Sequence, residues 1–210
     1  MEITISKYIK IENNTIWLNG EKVFSAGPDI DFGTFIKVLY RRYAVKYLKF
    51  FKMDNLSKLG FLASEILLEG QGLIKRYPND KIGVILSNSN STLDIDQQYY
   101  DLIKDSDNYF PSPALFVYTL PNIMIGEICI KNKFRGESAT FIMKEYDPNI
   151  TVDYIKNLFL QDKIKVCIAG FVDYTKDNYD AFLYLAGNTE LLNGTAHNAE
   201  NINNLYYQRE

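Results

Sequence analysis

Two cysteines, Cys129 and Cys167, a single histidine, His197, and a basic stretch from Lys37 to Lys52 are the residues whose types could carry chemistry in this 210-residue chain. A cysteine attacks or binds metal as the thiolate, and both cysteines lie in apolar stretches far apart in the chain, which reads as buried, reduced thiols. The chain has no Cys-x-x-Cys pair, no His-Glu-x-x-His and no acidic calcium loop, so neither a metal nor a cofactor is expected. With one histidine, chemistry that needs a histidine pair is excluded within the chain itself, and His197, in an Asn-rich segment, is read as non-catalytic.

The basic stretch has a pattern. Lys37, Arg41, Arg42, Lys46, Lys49 and Lys52 fall on one side at helical period, and Ile36, Leu39, Tyr40, Tyr43, Tyr47, Phe50 and Phe51 fall on the other. An amphipathic basic helix or helix pair follows. Its positive side suits an acidic partner, the plainer alternative being a solvated helix face.

Composition bounds what these groups can serve. The chain is 47% apolar and 23% charged, with 16 Tyr, 13 Phe and a net charge of −3, so it can fill a core and is not disordered. The slight acidity argues against general nucleic-acid binding, which needs a surplus of surface Lys and Arg. The start lacks a basic segment followed by an apolar block, and no window approaches the ~20 apolar residues of a membrane span, so a cytoplasmic protein is expected.

The elements alternate. Ile3 to Phe24 reads as extended, with Asn19-Gly20 as a hairpin turn. Helices are predicted from Asn55 to Lys75 behind the cap Asp54, from Leu93 to Lys104, from Pro121 to Lys133, and from Pro148 to Leu160 behind Asp147. Lys81–Ser87 and Ile164–Gly170 read as strands buried on both faces, Glu137–Met143 looks extended, and Phe182–Ala186 is a further strand. The expected fold class is a layered α/β arrangement with a mixed, mainly parallel sheet flanked by helices. Residues 1–187 are taken as the domain and 188–210 as a polar, loosely packed Asn-rich tail.

The order of segments resembles the N-terminal half of the β-ketoacyl synthases, the carbon–carbon condensing enzymes with the thiolase fold. Four passages carry the likeness: Lys52-Met53-Asp54 with the helix behind it, the strand Ile82-Gly83-Val84-Ile85-Leu86, the run Leu120-Pro121-Asn122 with Gly126 and Phe134-Arg135-Gly136-Glu137-Ser138, and the strand Val166-Cys167-Ile168-Ala169-Gly170. They span roughly residues 45 to 172. The resemblance implies a reactive cysteine at the turn between strand and buried helix, where the helix N-terminus favours a thiolate. Counted gaplessly, that position falls on Glu145, in the setting Met143-Lys144-Glu145-Tyr146-Asp147-Pro148. A carboxylate is a poor substitute for the thiol, because its mixed anhydride is too reactive to carry a chain. Glu145 is therefore read as a polar residue at a vestigial nucleophile position, capping the helix or pairing with Lys144. The family's histidines come from a C-terminal half with no counterpart here.

The same resemblance implies partners. Ser138, Thr140, Phe141, Ile142 and Met143 correspond to the strand that pairs across the family's dimer interface. Lys37, Arg41, Arg42, Lys46 and Lys49 would meet an acidic acyl carrier protein. The expected role is a non-catalytic subunit of a full-length synthase in fatty acid, polyketide or aryl-polyene synthesis, a homodimer being possible. The alternative is an active acyltransferase or decarboxylase acting on carrier-protein thioesters through an unrecognised site.

Overall fold

Asparagine turns fold the start of the chain into a meander. Strand β1 (Ile3–Glu12) pairs antiparallel with β2 (Thr15–Leu18), and β2 with β3 (Glu21–Ser25). The second turn is the expected Asn19-Gly20, with φ of 52° and 84°; the first is Asn13-Asn14, with φ of 47° and 55°. Both suit the type I′ hairpin turn, in which both central residues take positive φ. The computed structural model describes residues 2–176, 178–188 and 194–208.

Helix α1 (Phe32–Arg42) is capped by Asp31, whose carboxylate accepts from the Thr34 amide. The basic segment then breaks at Ala44, which has a φ of 47°, and resumes as a 3-10 turn, Leu48–Lys52. Asp54 caps α2 (Asn55–Leu68) as predicted, accepting from Leu56 and Ser57. That helix stops short of the expected Lys75. Gly70 and Gly72 take positive φ, and only the short α3 (Leu73–Arg76) follows.

The remaining order is β4 (Ile82–Asn88), α4 (Leu93–Ile103), α5 (Pro113–Phe116), α6 (Ile123–Asn132), β5 (Ser138–Ile142), α7 (Pro148–Leu160), β6 (Val166–Tyr174), β7 (Tyr179–Asn188), β8 (Thr195–Ala196) and α8 (Ala199–Tyr207). Among the described residues one eight-stranded sheet forms in the order β3-β2-β1-β7-β6-β4-β5, with β8 added to β1. The sheet is mixed. Strands β1, β3, β4, β5 and β6 run one way and β2, β7 and β8 the other, although the only directly parallel pairs are β4 with β5 and β4 with β6.

Both faces of the sheet centre are covered, which is why β4 is buried at every residue. Val166, Ile168, Val172, Ala181, Leu183 and Leu185 face a core closed by α1, α2 and α6. Their alternates Cys167, Ala169, Phe182, Tyr184 and Ala186 face a second core under α7 and α8. Strand β1 serves both. Ile3 and Ile5 point to the second core and Ile9 and Ile11 to the first, because a register shift between Ile5 and Lys7 reverses the alternation.

The expectation of a loose tail is corrected. Within 188–210, Asn188 ends β7, and α8 is a capped helix whose Asn198 side chain accepts from the Asn201 amide. Ile202 is fully buried, and Leu205 and Tyr206 pack on the second core. Asparagine is a weak helix former, and here the apolar stripe at i, i+3 and i+4 overrides that weakness.

Candidate functional site

The strand–turn–helix between β5 and α7 exists as the sequence implied. Its entry depends on Gly136, where a Cβ would fall 2.4 Å from the Ile82 carbonyl oxygen, so only glycine lets this loop pass so close to β4. Asp147 caps α7, its carboxylate accepting from the Asn149 amide at 2.9 Å, and Pro148 occupies the first turn. Glu145 neither caps the helix nor pairs with Lys144. It lies exposed on the bend, and among the described residues no ion pair involves it.

Tyr146, the next residue, turns inward. Its ring lies 4.7 Å from Tyr206, 5.2 Å from Phe171 and 6.2 Å from Phe182, between centroids. The Tyr206 hydroxyl donates to Asp180 Oδ2, and Lys10 Nζ sits 4.5 Å from the Tyr206 ring centroid while donating to the Tyr206 carbonyl. Burial pushes Asp180 above the usual carboxylate range and Tyr146 and Tyr206 above the usual phenol range. The volume behind the turn is thus filled with aromatic rings, two of them contributed by β6 and β7 and one by α8.

The other candidate nucleophiles are also quiet. Burial raises Cys129 to about 11 and Cys167 further, so both are neutral thiols near pH 7. The His197 ring lies against Tyr184, with Nε2 3.2 Å from its hydroxyl and a buried, unpartnered Nδ1. Burial lowers His197 to about 4, so the imidazole is neutral. Among the described residues no group of three or more His, Cys, Asp or Glu could hold a metal, and no single helix is long and apolar enough to cross a membrane.

Strand β5 ends the sheet. It pairs with β4 on one side, and among the described residues no strand pairs with its other edge, which is open. Phe141 turns onto α7, 5.3 Å from the Tyr154 ring, and the Met143 amide donates to the Asn88 carbonyl. Ser138 and Ile142 are exposed, while Thr140 is half-buried with an Oγ1 that has no partner. Beside this edge runs a groove of about 340 Å³ lined by Pro121, Asn122, Ile125, Gly126 and Cys129 of the α6 region and by Ser138 to Thr140. The Leu120-Pro121-Asn122 passage therefore frames the open edge. Leu120, Ile130 and Ile142 add exposed apolar surface in these same elements.

The basic residues Lys37, Arg41, Arg42, Lys46 and Lys49 are all exposed, but two are engaged. Arg42 stacks over Phe24 with 4.9 Å from its guanidinium carbon to the ring centroid, and Lys49 pairs with Glu127 at 2.6 Å. Glu127 is fully buried on α6 and also accepts from the hydroxyls of Tyr47, at 2.9 Å, and Tyr118, at 3.2 Å. Burial, reinforced by that carboxylate, raises Tyr47 to about 12 and Tyr118 further. Sequence reading missed this cluster, whose one visible signal is a lone glutamate among the apolar residues of α6.

No family model and no curated protein matches the chain. Solved structures do. "The ishigamide ketosynthase/chain length factor" aligns with a TM-score of 0.61 at 14% identity over 92% of this chain and 64% of that one. A type II PKS acyl-carrier protein in complex with its ketosynthase, AntDE:AntF, aligns with a TM-score of 0.60 at 12% identity over 90% of this chain and 63% of that one. A ketosynthase, ApeO, in complex with its chain length factor, ApeC, from Xenorhabdus doucetiae aligns with a TM-score of 0.56 at 11% identity over 89% and 79%. The chain thus spans under two thirds of the length of the first two. It has a thiolase-like fold of the ketosynthase type.

Proposed function

We propose that this chain is a non-catalytic, ketosynthase-like subunit that pairs with a complete condensing enzyme and helps to engage its acyl carrier protein. The observation that carries the reading is the open edge of β5, with the groove of mixed apolar and polar lining beside it and the exposed Leu120, Ile130 and Ile142 in the same elements. An unpaired edge is a template for another strand, and burial in a partner removes both the free backbone groups and the apolar flank from water. The turn supports the non-catalytic part. Glu145, the position that the resemblance assigns to a nucleophile, is an exposed carboxylate, and the space behind it is filled by Tyr146, Phe171, Phe182 and Tyr206. The structural neighbours named above as ketosynthase–chain length factor and ketosynthase–carrier assemblies agree with such a role.

The test is direct. The purified chain is incubated with acyl- and malonyl-loaded carrier protein and followed by intact-mass spectrometry and carbon dioxide release. Neither an adduct nor decarboxylation is expected from the chain alone; turnover would overturn the reading.

A further inference from the structure

The aromatic volume behind the turn between β5 and α7 is completed by a side chain from α8. Tyr206 stands edge-on to Tyr146, Phe182 and Phe171, with ring centroids at 4.7, 5.5 and 6.4 Å, and Lys10 Nζ sits 4.5 Å from its own centroid. Its hydroxyl ends on Asp180 Oδ2. The slot around Tyr206 thus has three ring walls, a cation over one face and a carboxylate at the far end, a set of groups that recognises a phenol. It also has more polar capacity than Tyr206 uses. Asp180 Oδ1 and the Tyr146 hydroxyl are both buried without a partner, a costly state that calls for an explanation. One phenolic hydroxyl satisfies one carboxylate oxygen, whereas two neighbouring hydroxyls satisfy both. We propose that the Tyr206 slot is a binding site for a small dihydroxyphenyl ligand of the catechol type, and that in the free chain α8 occupies it as a displaceable plug.

Helix α8 is held lightly. It has nine residues, too few for a stable helix on its own, and three of them are the weak helix formers Asn201, Asn203 and Asn204. Ile202 is its one fully buried side chain, with Leu205 and Tyr206 half-buried. Strand β8, which leads into it, pairs with β1 through Thr195 and Ala196. His197 follows, with its Nδ1 buried and unpartnered. An element with so small an apolar contact, seated over unpaired buried polar atoms, belongs to the low-stability end of the native ensemble. The slot itself does not depend on α8. Tyr146 comes from the turn, Phe171 from β6, and Phe182 and Asp180 from β7, while α7 still covers the sheet with Ile155, Leu158 and Phe159. Opening α8 therefore uncovers a formed site, and a ligand binds with its intrinsic affinity reduced by the fraction of chain that is open. Neither the slot nor its ligand depends on the subunit role proposed above.

The experiment titrates the full chain with catechol, phenol and benzene under nitrogen, by calorimetry, and follows amide hydrogen exchange across α8 with and without saturating catechol. Wild type, Tyr206→Ala and Asp180→Asn are compared, with thermal melts confirming that each is folded; the exchange measurement on wild type needs no variant. Affinity is expected to fall in the order catechol, phenol, benzene. Tyr206→Ala, which vacates the slot, should raise the affinity for catechol by about tenfold or more, and Asp180→Asn should lower it by a similar factor. In wild type, bound catechol should speed exchange in α8. Catechol that leaves α8 exchange in wild type unchanged, or that binds Tyr206→Ala no better than benzene does, would overturn the proposal.

Discussion

Two buried carboxylates, each taking a tyrosine hydroxyl, behave in opposite ways in this molecule. Asp180, on the side of the sheet covered by α7 and α8, accepts from Tyr206 through one oxygen and leaves the other buried without a partner. Glu127, on the side covered by α1, α2 and α6, accepts from Tyr47 and Tyr118 and is neutralised by Lys49, whose side chain is still 46% exposed. The first cluster turns its aromatic rings inward and fills the space behind the turn between β5 and α7. The second reaches the surface and fixes the turn that presents Leu48 and Phe51. The same residue types thus seal one region and display another, and the difference lies in whether a cation at the surface completes the set.

The largest expected effect is on the second cluster. Glu127→Ala leaves the buried Tyr118 hydroxyl, the partly exposed Tyr47 hydroxyl and Lys49 without their acceptor, so it should cost about 3–4 kcal/mol in urea unfolding, roughly that of two hydrogen bonds to a charged group. A cost below ~1 kcal/mol would mean that the cluster does not clamp the turn. In the first cluster, Tyr146→Ala empties aromatic volume between Phe171 and Tyr206 and should cost about 3 kcal/mol. Unchanged stability there would show that the turn is not packed shut.

A pH effect of intermediate size separates the two sides of the sheet. His197 is held near 4 in the folded protein against an unfolded value near 6.5, so the unfolded chain takes up the proton first. Its contribution is fully present above about pH 6.5 and is lost as pH falls towards 4, amounting to about 2–3 kcal/mol. His197→Gln should flatten the stability profile in that window relative to wild type. An identical profile would remove His197 from the account of how β8 and α8 are held. The smallest effect is at Glu145. Glu145→Ala should change stability by less than ~0.5 kcal/mol, in contrast to its neighbour Tyr146.

Much of the fold was legible because its signals are local. Asp54 and Asp147 as caps, Asn19-Gly20 as a turn, and the apolar runs of β4 and β6 each follow from backbone chemistry within a few residues. What stayed hidden depends on distant partners. The role of Glu127 requires Tyr47, Tyr118 and Lys49 from other segments. Tyr146 is a plug only because α8 returns Tyr206 to it, and α8 itself was concealed by its asparagines. The switch of faces within β1 follows from a register shift that pairing with β7 imposes. Sequence reading singled out the Glu145 turn, the strand from Ser138 to Met143 and the basic residues, but not that Lys49 and Arg42 are engaged.

The central claim concerns the open edge of β5, and native mass spectrometry tests it most directly. The chain is mixed with the complete condensing enzyme of the same organism, as wild type and as Ile142→Lys, which places a charge on the exposed apolar flank of that edge. A one-to-one complex with wild type that is lost with Ile142→Lys, at unchanged melting temperature, is the predicted result. A complex that forms equally well with both, or no complex with either, would contradict it.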